Sequence, residues 1–157
     1  MSAVLDQAPQ LAPMTLGDLE EVLCIERAVY THPWSRLNFA DSLQSGYSCL
    51  CYRAGGELIG YCVLVVAVGE AHLLNLSIAA QWQRKGYGAA LLGEVLRVAR
   101  GLRARHLFLE VRPSNLAGLA LYASFRFRQL SLRRNYYPGN REALEGREDA
   151  LVLTLDL

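Results

Sequence analysis

In the run Leu107-Phe108-Leu109-Glu110-Val111 a single carboxylate interrupts an otherwise apolar segment. The segment reads as a strand, and alternation puts Phe108, Glu110 and Arg112 on one face. A carboxylate there costs free energy unless it is paired or hydrated. Partial burial would raise its pKa from about 4.3 toward neutrality, where a general base works; a bridge to Arg112 or to a helix arginine would make it structural instead. Tyr122 lies in the helical segment Asn115-Leu116-Ala117-Gly118-Leu119-Ala120-Leu121-Tyr122, whose apolar positions are expected to face a sheet, so packed core is the plain reading of this phenol. A third feature is the turn Gln83-Arg84-Lys85-Gly86-Tyr87-Gly88, between a strand ending near Ile78 and a helix starting near Tyr87. Glycines allow close backbone approach, and amides at a helix N-terminus suit a phosphate or pyrophosphate, with Arg84 and Lys85 adding charge. The bland alternative is a permissive turn with a solvated basic pair.

Two nucleotide sites are excluded or disfavoured at that turn. It is not a P-loop, because no Lys-Ser or Lys-Thr follows a second glycine at the needed spacing. A dinucleotide fingerprint would need a third glycine where Leu91 stands, and would need its glycines immediately after the strand, whereas residues 80–85 intervene.

The elements that must position these groups follow from periodicity. Thr15 with Asp18 resembles a capping box, and Leu16, Leu19, Val22, Leu23 and Val29 recur at helical spacing, which predicts a helix over residues 16–29. Pro33 interrupts the chain, and Ser35 is the N-cap expected for a short helix through Leu43. Residues 48–53 and 58–68, separated by Gly55-Gly56, read as an antiparallel hairpin, followed by a strand over 73–78. Leu91, Leu92, Val95, Leu96, Ala99 and Leu102 mark one face of the next helix. A strand over 107–111, a helix over 115–125 and strands over 128–136 and 150–157 complete the chain, and residues 138–145 read as a mobile loop. Hairpin strands followed by a β-α-β-α-β order imply an α/β or α+β domain with a mixed sheet.

Composition bounds the function. The 157 residues, 52% of them hydrophobic and 20% charged, fit one domain spanning residues 1–157. The net charge of +1 gives no case for a bulk polyanion binder, so no direct nucleic-acid binding is expected. The halves nevertheless differ: −5 over residues 1–81 and +6 over 82–157. The longest apolar run, residues 58–68, falls well short of the roughly 20 residues that span a bilayer. With no signal-peptide pattern visible, the expected location is the cytoplasm, away from membranes. Cys24, Cys49, Cys51 and Cys62 form neither a CxxC pair nor a Cys/His cluster and are expected to be reduced core thiols, with no metal.

The Gln83-x-x-Gly86-x-Gly88 pattern between strand and amphipathic helix resembles the coenzyme A pyrophosphate loop of the GNAT (GCN5-related) N-acetyltransferases. The string Leu109-Glu110-Val111-Arg112-x-Ser114-Asn115, followed by Ala120-Leu121-Tyr122, resembles the bacterial ribosomal-protein-alanine N-acetyltransferases within that family. So do Arg133-Arg134-Asn135-Tyr136-Tyr137, Gly146-Arg147-Glu148-Asp149-Ala150 and Pro33-Trp34-Ser35. The resemblance runs over nearly the whole chain and implies a mixed, mostly antiparallel sheet of about seven strands carrying about four helices. It implies acetyl-CoA as cosubstrate, held by Leu76, Ser77 and Ile78 of a splayed strand, by Gln83, Arg84, Lys85, Gly86, Tyr87, Gly88 and Ala89 of the loop and helix start, and by Asn115. It implies Glu110 as general base and Tyr122 as general acid, with Trp34, Arg133, Arg134, Tyr136 and Tyr137 walling the acceptor site. Family members carry glycine where this chain has Arg126, a residue that either strains a left-handed helix cap by about 1 kcal/mol or forces a different helix end.

The implied reaction is direct acetyl transfer to the N-terminal alanine of a small-subunit ribosomal protein. An α-amine of pKa about 7.8 costs about 1 kcal/mol to deprotonate at pH 7 and a lysine of about 10.4 nearly 5, at roughly 1.36 kcal/mol per unit. Three alternatives stand beside it: a lysine or small-amine acetyltransferase, a noncatalytic acyl-CoA-sensing module and a dinucleotide oxidoreductase.

Overall fold

The computed structural model describes residues 7–138 and 147–157. After β1 (Gln10–Pro13), Thr15 and Asp18 form the capping box that the sequence predicts, but around a single 3-10 turn, Leu16–Asp18. The first helix, α1 (Leu19–Val29), therefore starts three residues later than its apolar spacing predicts. Ser35 caps α2 (Arg36–Gln44), accepting from the Asn38 amide. The hairpin is β2 (Ser48–Ala54) and β3 (Glu57–Ala67), and β4 (Glu70–Ile78) follows. Helix α3 (Tyr87–Gly101), β5 (His106–Val111), α4 (Leu116–Ser124), β6 (Arg128–Pro138) and β7 (Arg147–Asp156) complete the order. The short β1, with its proline, carries too little pattern to be read from sequence. The expected loop over residues 138–145 lies outside the described residues apart from Pro138, which ends β6.

The seven strands form one sheet in the order β1-β2-β3-β4-β5-β7-β6, antiparallel except for the β4–β5 pair. Leu19, Val22, Leu23 and Phe39 of α1 and α2 pack on one face. Leu91, Leu92, Val95, Leu96 and Ala99 of α3 pack on the other. The central β3 supplies both layers, which is why its sequence reads as a continuous apolar run rather than an alternating one. Cys49, Cys51 and Cys62 are buried and unpaired as expected; Cys24 is exposed, on the solvent side of α1, and corrects the expectation of four core thiols. A second correction concerns α4: only Tyr122 is buried along it, and Leu116 is 75% exposed. Among the described residues no helix is long and apolar enough to cross a membrane.

Two irregularities position the site. In the β3–β4 ladder Val63 pairs with Asn75 and Leu64 with Leu73, leaving Leu74 as a bulge residue. Before it, Ala71 and Leu73 face α3; after it, Leu76 and Ile78 face the α3 layer, while Asn75 turns toward α1. Near this bulge β4 parts from β5, their pairing being confined to Glu70–His106, Ala71–Leu107 and His72–Phe108. Gly60 permits the close fit of β3 on the far half of β4, since a Cβ there would sit 2.3 Å from the Ser77 carbonyl oxygen.

The end of α4 resolves the Arg126 question. Phe127 donates to the Tyr122 carbonyl (3.1 Å) and Arg126 to that of Ala123 (2.9 Å), the double bond pattern of a Schellman cap. Arg126 holds the left-handed position at φ +66°, so the helix ends as glycine would end it and the strain remains. Arg126→Gly is therefore expected to stabilise the protein by about 1 kcal/mol. A thermal melt should read this as a rise of roughly 2–4 °C in Tm.

Candidate active site

Where β4 leaves β5, a cleft of about 710 Å³ opens. Its walls include Tyr30 and Trp34 from the chain after α1, Leu76 from β4, Glu110 from β5, Asn115 and Tyr122 from α4, and Tyr137 from β6. Seven residues proposed or missed at sequence level thus meet in one place. Beyond His72 the carbonyls of β4 find side chains instead of a strand: Leu76 accepts from the Tyr30 hydroxyl (3.0 Å) and Ile78 from Gln83 Nε2 (3.0 Å). The second bond ties the loop to the end of β4. Arg84 (φ +60°) and Gly86 (φ +87°) both take left-handed conformations in that loop. At the start of α3 the Ala90 amide donates to the Gly86 carbonyl (3.1 Å), so the amides of Tyr87, Gly88 and Ala89 stand ahead of the helical ladder. With Lys85, whose ammonium lies 5.2 Å over the Trp82 ring, they form an anion-favouring end. This chemistry fits a pyrophosphate, and the edge of β4 that β5 leaves unpaired beyond His72 fits an extended amide-bearing arm.

Glu110 is paired, but with neither partner that the sequence proposed. Its Oε2 lies 2.6 Å from His72 Nε2 and its Oε1 accepts from Arg133 Nη1 at 3.1 Å. Arg112 instead bonds Glu148 (3.3 Å), which also receives the Ser114 amide and hydroxyl. The expected rise in the Glu110 pKa is overturned. Burial, the largest influence, pushes it up, but hydrogen bonds and charge from His72 and Arg133 together hold it below its ordinary value. Tyr122 is 9% exposed and packs edge-on against Phe127 at 5.5 Å. Its hydroxyl is pushed well up by burial and further by the neighbouring Tyr30 and Tyr137 phenols. Burial likewise raises Tyr30 to about 12, with its Ser77 hydrogen bond opposing and the Glu26 charge reinforcing the rise.

The proposed acceptor residues divide. Trp34 and Tyr137 line the cleft, and Trp34 is set by a 5.1 Å contact with Phe39 and by its amide donating to Glu26 (3.0 Å). Arg134 and Tyr136 do not reach the cleft: both are exposed on β6, the Tyr136 ring lying 4.4 Å below the Arg133 guanidinium. Arg133 is no member of a solvated pair, since it caps Glu110. Asn115 lines the cleft while capping α4, its Oδ1 accepting from Gly118. Sequence reasoning missed Glu26, Tyr30, His72 and Asn75. Glu26 is 2% exposed and accepts from Tyr61, Asn75 and the Trp34 amide. Its signal was available, because Glu26 follows Leu19, Val22 and Leu23 on the apolar stripe of α1.

A strand pair splayed beside a glycine turn and helix start, with a carboxylate and a phenol on the walls of the gap, is the site architecture of an acyl-CoA acyltransferase. The chain belongs to the acetyltransferase (GNAT) family, whose model matches residues 19–127. It is 34% identical over 147 residues to a ribosomal protein bS18-alanine N-acetyltransferase of Escherichia coli K12, covering 94% of this chain and 97% of that protein. A crystal structure of the Escherichia coli ribosomal-protein-S18-alanine N-acetyltransferase superposes with a TM-score of 0.84 at 32% identity, over 94% of this chain and 93% of that one. The fold is also that of an acetyltransferase from Elizabethkingia anophelis solved with acetyl-CoA bound (TM-score 0.78, 22% identity, covering 97% and 100%).

Proposed function

We propose that the chain, acting as one domain in the cytoplasm, transfers acetyl from acetyl-CoA to the α-amine of an N-terminal alanine, with ribosomal protein bS18 as acceptor. The observation that carries this is the opening of β4 from β5 directly beside Glu110 and across from Tyr122. Acetyl-CoA supplies the activated acetyl group. The amides at the start of α3, with Arg84 and Lys85, hold its pyrophosphate, and the backbone of Leu76, Ser77 and Ile78 holds its arm. Trp34 and Tyr137 flank the incoming peptide.

The low basicity of Glu110 sharpens the mechanism. A carboxylate held below its ordinary pKa does not strip a proton from a free ammonium, so the amine arrives neutral, at a cost of about 1 kcal/mol at pH 7 for an α-amine. Its nitrogen attacks the thioester carbon. The ammonium so formed is a far stronger acid than a free one, and Glu110 then suffices to take its proton, directly or through water. The C–S bond breaks, and Tyr122 donates to the departing sulfur. A thiol titrates near 8.5 and the phenol well above that, so Tyr122 acts as a hydrogen-bond donor to the thiolate, which takes its proton from solvent.

The test is thiol release from acetyl-CoA with a peptide carrying the bS18 N-terminus, against the same peptide blocked at its α-amine. Turnover is expected with the free peptide and none with the blocked one. Equal rates on both, where the peptide contains lysine, would sink the α-amine assignment.

A further inference from the structure

We propose that His72 is a positioning residue for acetyl transfer: from the last rung that β4 shares with β5, its imidazole donates to Glu110 and fixes that carboxylate at the apex of the gap. The inference rests on the reading of Glu110 given above. His72 and Phe108 are cross-strand partners, and their rings stack at 4.3 Å with 20° between planes. Held flat against its own partner, the imidazole reaches diagonally to Glu110, two residues further along β5, at 2.6 Å. An ionised carboxylate only accepts, so Nε2 carries the hydrogen, and the contact has the short length of a charge-assisted bond.

The two partners of Glu110 are not equivalent. The Arg133 side chain is 51% exposed on edge strand β6 and approaches Oε1 from solvent, whereas the His72 side chain is 26% exposed and comes from within the sheet. Arg133 is thus the partner that an arriving acceptor can displace, and His72 the one that stays. Glu26, Tyr30, His32 and Tyr122 line the same cleft as the carboxylate. Tyr137 of β6 lies close enough to feel its charge, Arg112 on the same face of β5 is engaged by Glu148, and β7 sets Val152 opposite Glu110. Without His72, burial acts on Glu110 against Arg133 alone.

His72→Leu and His72→Gln separate positioning from packing. Carbon-13 titration of the Glu110 carboxyl, assigned by its loss in Glu110→Gln, should show the midpoint moving up in His72→Leu and staying low in His72→Gln, whose amide nitrogen still donates. The ratio of variant to wild-type kcat/KM on one peptide cancels the ionisation of the amine. For His72→Leu it should fall about tenfold per pH unit below the new Glu110 midpoint; for His72→Gln it should stay flat. An unmoved midpoint in His72→Leu, or equal behaviour of the two variants, would overturn the proposal. A wild-type protein that leaves the peptide α-amine unacetylated would overturn the functional reading instead, and the carboxyl titration would still support or overturn the positioning of Glu110.

Discussion

Glu110→Gln is expected to lower kcat/KM for α-amine acetylation by about 10²–10⁴-fold, the usual contribution of a positioned acid–base group. The amide keeps the size of the side chain but takes no proton from the newly formed ammonium. Binding of acetyl-CoA, read as a thermal shift, should be unchanged, because the groups assigned to the coenzyme's pyrophosphate and arm sit on β4 and in the loop and first turn of α3, and Glu110 is not among them. A variant with full activity would remove Glu110 from the chemistry and leave it as the anchor of His72 and Arg133.

Tyr122→Phe is the second large effect. Loss of one donor aimed at developing negative charge should reduce kcat by about 10²–10³-fold with KM little altered. The packing of the ring against Phe127 survives this change, so the melting temperature should hold. Burial, followed by the Tyr30 and Tyr137 phenols, keeps the Tyr122 hydroxyl protonated well beyond neutrality. The wild-type rate should therefore rise as the acceptor amine is deprotonated and then stay level to about pH 10, where an ordinary tyrosine would be half ionised. An alkaline fall between pH 8 and 10 that disappears in Tyr122→Phe would show that the phenol titrates lower and transfers its proton outright.

Most of the fold was legible because its signals are local. Ser35 three residues before Asn38, the Gly55-Gly56 turn and the 3.6-residue stripe of α3 each act within a few residues, and each stands in the structure where the sequence places it. The candidate site was legible only in part, because its electrostatics are made by contacts distant in sequence. Glu110 was conspicuous as a lone carboxylate in an apolar run. Its partners were not: His72 is 38 positions away and Arg133 is 23, and no spacing rule reaches either. Hence the direction of its pKa shift came out wrong, burial being visible in the run while the two distant partners were not. Arg133 and Arg134 read as a pair, yet strand alternation and the bulge in β6 send one to the carboxylate and leave the other in solvent. Glu26 was overlooked for the opposite reason, its helical stripe being apolar enough to hide one acidic member.

The unpaired Leu74 gives β4 two reading frames. Odd-numbered residues before it and even-numbered residues after it serve the same layer, so the strand is a splice between a structural half and a half that faces the chemistry. Each half can vary under its own parity without disturbing the other. A one-residue deletion at Leu74 would fuse the frames into one regular alternation, leaving Asn75 and Ser77 toward α1 and Leu76 and Ile78 toward α3 while removing the bulge near which β4 parts from β5. Tolerance to substitution along β4 should accordingly change pattern at this one residue, which makes an unpaired position in the ladder the boundary between scaffold and active site.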